Sequence, residues 1–254
     1  MSLAANTEHD RWLVHGQPGD GDFLLFGFHY AGVGASSSYR HWPQRIGTGY
    51  FCPLQPPGRE DRIREQPLGS HAEFAERLLP VLADHLDRPY AFLGHCGAFP
   101  YMLETTFQLR RHGLPLPRRL FASSWGAPHR GLYGRLNFLD LDEIDVSAEI
   151  QLICDAQLGH RLPDDLAELA GEMLLFDLRV QRTYRYGGDP RVPVPTVVIG
   201  WSDDEVVPPE EVRPGWDECA DVTHHVLTGD HWEFLRCPPA LRSLIGDEMA
   251  TALR

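Results

Sequence analysis

Cys96 lies at the end of Tyr90-Ala91-Phe92-Leu93-Gly94-His95-Cys96-Gly97-Ala98, where an apolar run gives way to small residues around a single thiol. A buried strand that stops at a small-residue turn, with one reactive side chain at its tip, is the pattern of a nucleophile elbow, usually G-x-S-x-G. Here Cys96 takes the place of the serine and Ala98 that of the second glycine. At a strand end that opens a helix, free backbone N–H groups and the helix dipole favour a thiolate and a developing oxyanion alike. Gly94, Gly97 and Ala98 are small enough for the tight backbone. Pro100 suits the first helical turn, where its missing N–H costs little. A cysteine taken at random is more often a packed core residue than a nucleophile, but the G-H-C-G-A setting favours the nucleophile.

A nucleophile of this kind needs a base, and the base needs an orienting group. His231, in Thr228-Gly229-Asp230-His231-Trp232, follows a strand-like run and a glycine. Asp204, in Gly200-Trp201-Ser202-Asp203-Asp204-Glu205, follows another strand end. The order nucleophile, acid, histidine is that of α/β-hydrolases. Asp203 competes with Asp204 for the orienting role, and Glu205 is acidic as well. His95 is expected to point away from its neighbour Cys96, into the structure. His29, His41, His224 and His225 fit structural or surface roles. The N–H of Gly97 is one expected oxyanion donor, and the N–H of Ala31, in Phe28-His29-Tyr30-Ala31-Gly32-Val33-Gly34, the other. That stretch also reads as a plain glycine-rich turn, although close backbone approach asks for glycine too.

These residues need a scaffold, and strands alternate with helices along the chain. Short apolar runs at 22–32, 50–60, 90–93, 118–125, 194–204 and within 223–235 read as strands. Ser70–Leu86 reads as an amphipathic helix with Ser70 as N-cap and Phe74, Leu78, Leu82 and Leu86 on one face. A second helix is expected over Gly97–His112. The alternation predicts an α/β fold, a mostly parallel central sheet with helices on both faces. Residues from about 127 to 188 interrupt it with a helical, acidic stretch that holds no clear strand. An insertion of that size after a central strand reads as a lid. Phe138, Leu141, Leu152, Leu158 and Phe176 within it are expected to pack the lid rather than touch substrate. Residues 1–254 are read as one domain.

Composition narrows the classes. The chain is 43% hydrophobic over 254 residues, enough for one domain with a sizeable core. Its formal net charge is -13, and its 23 basic residues are all arginine. Such a balance argues against a nucleic-acid partner, which needs a concentrated basic surface. The opening MSLAANTEHDRWLVHGQPGD does not read as a signal peptide, and no apolar run is long enough to span a bilayer. The 5 cysteines are scattered without a C-x-x-C pair, so neither a metal site nor a disulfide framework is expected. A reducing cytoplasm is the expected compartment.

The stretches LFGFHYAGVGASSSYRHWP, LQPPGRE, FLGHCGAF, LRVQRTYRY, VVIGWSDDEVVPPEEVRPGW and TGDHWEFL occur in that order and span nearly the whole chain. Together they resemble the type II thioesterases, stand-alone α/β-hydrolases that act with polyketide synthases and non-ribosomal peptide synthetases. The resemblance implies a triad of Cys96, Asp204 and His231, with oxyanion donors Ala31 and Gly97. It implies an acyl thioester substrate borne on the phosphopantetheine arm of an acyl or peptidyl carrier protein, with no cofactor or metal of the enzyme's own. There are three departures from the family's pattern, the first spanning two residues. Cys96 and Gly97 replace a serine followed by a bulky apolar residue, His29 replaces a proline, and Glu205 replaces the proline of an Asp-Pro pair.

The thiol bears on the reaction. With serine, acylation gives an oxygen ester and hydrolysis follows. With Cys96, acylation exchanges one thioester for another, which is near thermoneutral and reversible. The acyl group can then pass to water, to a second carrier thiol or to an amine. Hydrolysis is the first expectation and acyl or aminoacyl transfer the alternative. A general cysteine esterase and a non-catalytic binding protein are the readings from other classes. The family-like stretches argue against the one and the complete triad against the other.

Overall fold

Every residue of the strand that leads to Cys96 is buried, as expected for a parallel strand covered on both faces. The computed structural model describes residues 11–186 and 189–254, and within 156–158 only the backbone. The first ten residues of the polar opening, the Leu158 side chain and residues 187–188 of the predicted insertion therefore lie outside the described residues.

Among the described residues seven strands form one sheet: β1 (Leu24–Phe28), β2 (Arg45–Ile46), β3 (Gly49–Leu54), β4 (Tyr90–His95), β5 (Leu120–Ser123), β6 (Thr196–Trp201) and β7 (Val222–Leu227). Their spatial order is β2-β3-β1-β4-β5-β6-β7. All neighbours run parallel except β2, which pairs antiparallel with β3. This short outer strand is the one strand the sequence reading omits, since two residues show no periodicity; that reading also leaves out the C-terminal helix Pro239–Ala252. The chain builds outward from β1 to β3, then returns to place β4 on the other side of β1. Such a reversal opens a crevice beyond the carboxyl ends of the two strands. Phe28 is in register with Gly94, so the loop after β1 and the turn after β4 face each other across that crevice.

The five longer helices are α1 (His71–Ala83), α2 (Phe99–Arg111), α3 (Val146–Leu158), α4 (Asp164–Gln181) and α5 (Pro239–Ala252). The Ser70 hydroxyl caps α1 by accepting the Glu73 N–H at 3.1 Å. Phe74, Leu78 and Leu82 are buried on its inner face, while Leu86 lies beyond the helix and is only partly buried. One face of the sheet packs Phe26, Phe28 and Phe92 against α1 and α2. The other packs Phe51, Leu93 and Ile199 against α5 residues Leu241, Ile245 and Met249.

Between β5 and β6 the described residues hold no strand. They form two 3-10 turns and the helix pair α3–α4. Asp145 caps α3 by accepting the Ala148 N–H at 2.9 Å, and left-handed Gly159 ends it. The pair closes around a small core of its own: Leu141, Ile150, Ala167, Leu174 and Leu178. Phe138 is exposed and Phe176 packs on the main core.

Candidate active site

β4 delivers Cys96 into a 3-10 turn, and Cys96 itself adopts φ +51°. A non-glycine residue in this region is strained, and such strain persists only where the surroundings impose it. The turn is crowded: a Cβ on Gly94 would come within 2.3 Å of the Met102 sulfur. α2 then starts at Phe99, with Pro100 in its first turn. The elbow thus extends one 3-10 turn before the helix, where the sequence reading had the helix begin at Gly97.

Cys96 lies beside His231, and the two line one cavity. The His231 Nδ1 lies 3.0 Å and 2.9 Å from the two carboxylate oxygens of Asp204, which leaves Nε2 to face the thiol. His231 and Asp204 are both buried. Burial pulls the His231 pKa down, but the Asp204 carboxylate and the neighbouring Cys96 thiol outweigh it and push it up to about 9. Burial would raise the Asp204 pKa, yet the bond to His231 and further donors hold it below the usual carboxylate range. Those donors are the Ser124 hydroxyl at 2.6 Å and the Val206 and Val207 N–H groups at 2.9 Å and 2.8 Å. Asp203 and Glu205 are exposed, and the Asp203 carboxylate accepts only the neighbouring Ser202 hydroxyl, at 2.9 Å. Among the three consecutive acids, Asp204 alone reaches the histidine.

The other histidines do not join this chain of hydrogen bonds, although the His95 ring lies 4.4 Å from that of His231. His95 turns inward, stacks on Phe234 at 4.4 Å between ring centroids, and meets the Ser123 hydroxyl at 2.9 Å through Nδ1. Burial first, and then the His231 charge, holds its pKa well below the usual value. His29 is buried between Phe74 and Tyr101. His41 is exposed, and His224 and His225 are half-buried on β7.

Ala31 follows β1 and Gly97 follows the neighbouring strand β4, and Ala31 lines the cavity that holds Cys96. The loop that carries Ala31 is held by side chains from far along the chain. Asp177 on α4 accepts the Gly32 N–H at 2.7 Å, Gln55 accepts the Ala35 N–H at 2.6 Å, and Glu60 accepts the Ser36 and Ser37 N–H groups at 2.9 Å and 2.8 Å. Arg59 donates to the Val33 carbonyl at 3.2 Å and pairs with Asp177. This is the physical reason that LQPPGRE accompanies the HYAGVGAS loop: its Gln55, Arg59 and Glu60 fix the backbone on which a donor at Ala31 depends.

A cavity of about 280 Å3 opens over Cys96 and His231, lined also by Ala31, Leu136, Asn137, Leu152, Gln181, Glu205 and Trp232. Leu152, which the sequence reading assigned to lid packing, lines it instead, and 63% of its surface is exposed. A second cavity of about 370 Å3 adjoins it through Tyr30, Ala31, Ile153 and Trp232, and reaches Arg40, His41 and Arg236. Sequence reasoning missed Ser124, Arg59, Asp177, Gln181 and Asn137. Among the described residues no group of three or more His, Cys, Asp or Glu side chains could hold a metal ion. Among the described residues no helix is long and apolar enough to cross a membrane. A thiol, a buried imidazole, a carboxylate and two converging backbone segments can perform nucleophilic acyl transfer.

The family model for the thioesterase domain matches residues 23–179. RedJ, a thioesterase from the prodiginine biosynthetic pathway of Streptomyces coelicolor, is 30% identical, with a TM-score of 0.74 over 90% of this chain and 92% of its own. The type II thioesterase BorB from the borrelidin biosynthetic cluster is 27% identical, with a TM-score of 0.74 over 91% of this chain and 93% of its own. A protein of Brevibacillus parabrevis named linear gramicidin dehydrogenase LgrE is 28% identical over 87% of this chain and 86% of its own. The curled, mostly parallel sheet with its helices is the α/β-hydrolase architecture of these solved relatives, and the chain belongs to the thioesterase domain family.

Proposed function

We propose that this protein is a type II thioesterase-like hydrolase that releases acyl or aminoacyl groups from the phosphopantetheine arms of carrier proteins in polyketide or non-ribosomal peptide biosynthesis, through a Cys96-acyl enzyme. The observation that carries the reading is Cys96 at a strained elbow, beside a histidine that Asp204 holds from behind. The biosynthetic setting is taken from the names of RedJ and BorB. LgrE is named for a dehydrogenase; the triad at Cys96 favours acyl chemistry here.

In the proposed reaction the Cys96 sulfur attacks the thioester carbonyl carbon, and its proton resides on His231 Nε2. The carbonyl oxygen becomes an oxyanion that the N–H groups of Ala31 and Gly97 receive. Collapse of this adduct breaks the bond to the pantetheine sulfur, which leaves with the proton from His231. Water then attacks the Cys96 thioester and gives a proton to His231. Free acid departs as the Cys96 sulfur takes that proton back. Asp204 keeps the imidazole in one tautomer throughout. The cavity beside Cys96 and the adjoining one are suited to the acyl group and the arm respectively. No cofactor of the enzyme's own enters any step.

The thiol favours a second reading, transfer to another carrier or to an amine, because breaking a cysteine thioester with a second thiol is near thermoneutral. Mass spectrometry of the enzyme with one loaded and one empty carrier protein tests both. Free acid that appears while the second carrier stays empty supports hydrolysis. Loading of the second carrier faster than release of acid replaces it with transfer. A Cys96→Ala variant that still forms the acyl adduct overturns the assignment of the nucleophile. Cys96→Ser separates the two reactions further, since oxygen-to-sulfur transfer runs uphill: it should lose any carrier-to-carrier movement and keep hydrolysis.

A further inference from the structure

A buried amide lies against the residue that follows the nucleophile. Gly97 has no side chain, and a Cβ built there would lie 1.9 Å from Gln181 Nε2, 2.7 Å from its Cδ and 3.0 Å from its Oε1. The amide nitrogen is thus the Gln181 atom nearest Gly97. A Cβ stands about 2.5 Å from the backbone N of its own residue, so Gln181 Nε2 is within roughly 4.4 Å of the Gly97 N. The orientation of the amide is fixed from behind. Asn137 Nδ2 donates to the Tyr133 carbonyl at 2.8 Å, and a carbonyl can only accept. The Gln181 atom that this nitrogen meets at 3.2 Å is therefore Oε1, the acceptor. Nε2 is the atom left to face Gly97.

Gln181 is only 2% exposed, and among the described residues its Nε2 donates to no acceptor. A buried donor left unmet is costly. An apolar side chain of the same length would fill the space beside Gly97 without that cost, so packing alone does not account for an amide here. Gln181 lines the same cavity as Cys96 and Ala31, and the acceptor it lacks is one that a substrate brings. Two donors within roughly 4.4 Å of each other can share one oxygen, each at about 2.9 Å. A glutamine side chain is a competent member of an oxyanion hole.

We propose that Gln181 is a catalytic residue, a side-chain oxyanion donor that acts together with the Gly97 N–H. The proposal rests on the acyl-enzyme reading above and adds a residue to it. As the Cys96 sulfur bonds to the carbonyl carbon, the π electron pair of the carbonyl moves onto its oxygen. Gln181 Nε2 and the Gly97 N both donate to that oxyanion. When the adduct collapses, the pair re-forms the carbonyl and the bond to the pantetheine sulfur breaks. Gln181 is the last residue of α4, so the inserted segment reaches the reacting atoms.

Acetyl N-acetylcysteamine thioester and iodoacetamide, used on the same thiol at pH 8, test this. Acylation of Cys96 passes through an oxyanion, whereas alkylation displaces iodide and forms none. Both rates are read by intact-protein mass spectrometry, with the modified residue located by peptide mapping. The acylation rate divided by the alkylation rate removes any change in the reactivity or exposure of the thiol. That ratio should fall roughly a hundredfold in Gln181→Met, the range for loss of one oxyanion donor. It should fall at least as far in Gln181→Glu, which keeps the side-chain length and an oxygen for Asn137 but has a carboxylate oxygen in place of Nε2. The second variant reads the proposal if the first folds poorly. An unchanged ratio in either folded variant makes Gln181 a packing residue and overturns the proposal, with the Cys96 adduct still formed. If the unmodified enzyme takes no acetyl group on Cys96, the acyl-enzyme reading itself fails and this assignment falls with it.

Discussion

The Asp177 carboxylate, on the helix that closes the inserted segment, accepts the N–H of Gly32 at 2.7 Å, one residue beyond Ala31. Asp177 is 1% exposed, and the same carboxylate is paired with buried Arg59. One carboxylate therefore ties the insertion, the loop after β1 and the segment after β3 into a single junction beneath the site. A donor at Ala31 depends on where that junction holds the loop.

Asp177→Ala should lower stability by about 3–5 kcal/mol, because it strands the Arg59 charge in the interior. It should also slow acylation of Cys96. The double variant Arg59→Met, Asp177→Leu removes the stranded charge and should recover much of the stability. Its acylation rate should stay low, since nothing then accepts the Gly32 N–H. Urea unfolding and acylation kinetics on both variants check this; a double variant with the unmodified rate makes the junction purely structural.

Asp204→Asn should slow acylation by roughly a hundredfold to ten-thousandfold, while Asp203→Asn should change it little, because Asp203 is exposed and bound only to Ser202. The pH dependence of stability follows with its sign. His231 is raised from 6.5 to about 9 in the fold, so it binds its proton more tightly when folded. That stabilisation is complete below about pH 6.5 and is lost as pH rises towards 9. The Tm should fall over this interval, and fall less in Asp204→Asn. A Tm trend identical in both proteins removes the Asp204–His231 bond as its cause.

Alkylation should select one thiol. Burial pushes the Cys52 and Cys237 thiols up to about 12, and burial raises those of Cys154 and Cys219 as well. Cys96 is half-exposed in a cavity beside His231. Brief treatment with iodoacetamide at neutral pH, followed by peptide mapping, should label Cys96 well before the others. Preferential labelling of Cys154 sinks this ordering.

The insertion should open unevenly. Its α3–α4 pair has only a small core of its own, and Leu152, Leu166 and Leu169 are exposed. The last turns of α4, by contrast, carry Asp177 and Gln181, both buried against the body of the protein. Amide hydrogen exchange should be fast over residues 146–170 and slow over 174–181, and the fast part should slow when acyl-carrier protein binds. Uniform protection across 146–181 in the free enzyme rules out a hinged cover.

The residues themselves determined whatever is encoded locally. The apolar run into Gly94-His95-Cys96-Gly97-Ala98 specifies a strand, a tight turn and a thiol at its tip, because chain sterics and small side chains act within a few positions. The same holds for the Ser70 cap and the buried face of α1. The glycine before His231 and the strand before Asp204 placed a histidine and a group of three acids. Which acid meets the histidine was decided by the tertiary structure. β6 ends so that Asp204 turns inward to Ser124 and to the N–H groups of Val206 and Val207, while Asp203 and Glu205 face solvent. Arg59 with Asp177, and Gln181 with Gly97 and Asn137, carry no local signal at all. Each is an ordinary polar residue until packing removes water around it, and the partners that then satisfy it come from segments the sequence holds far apart.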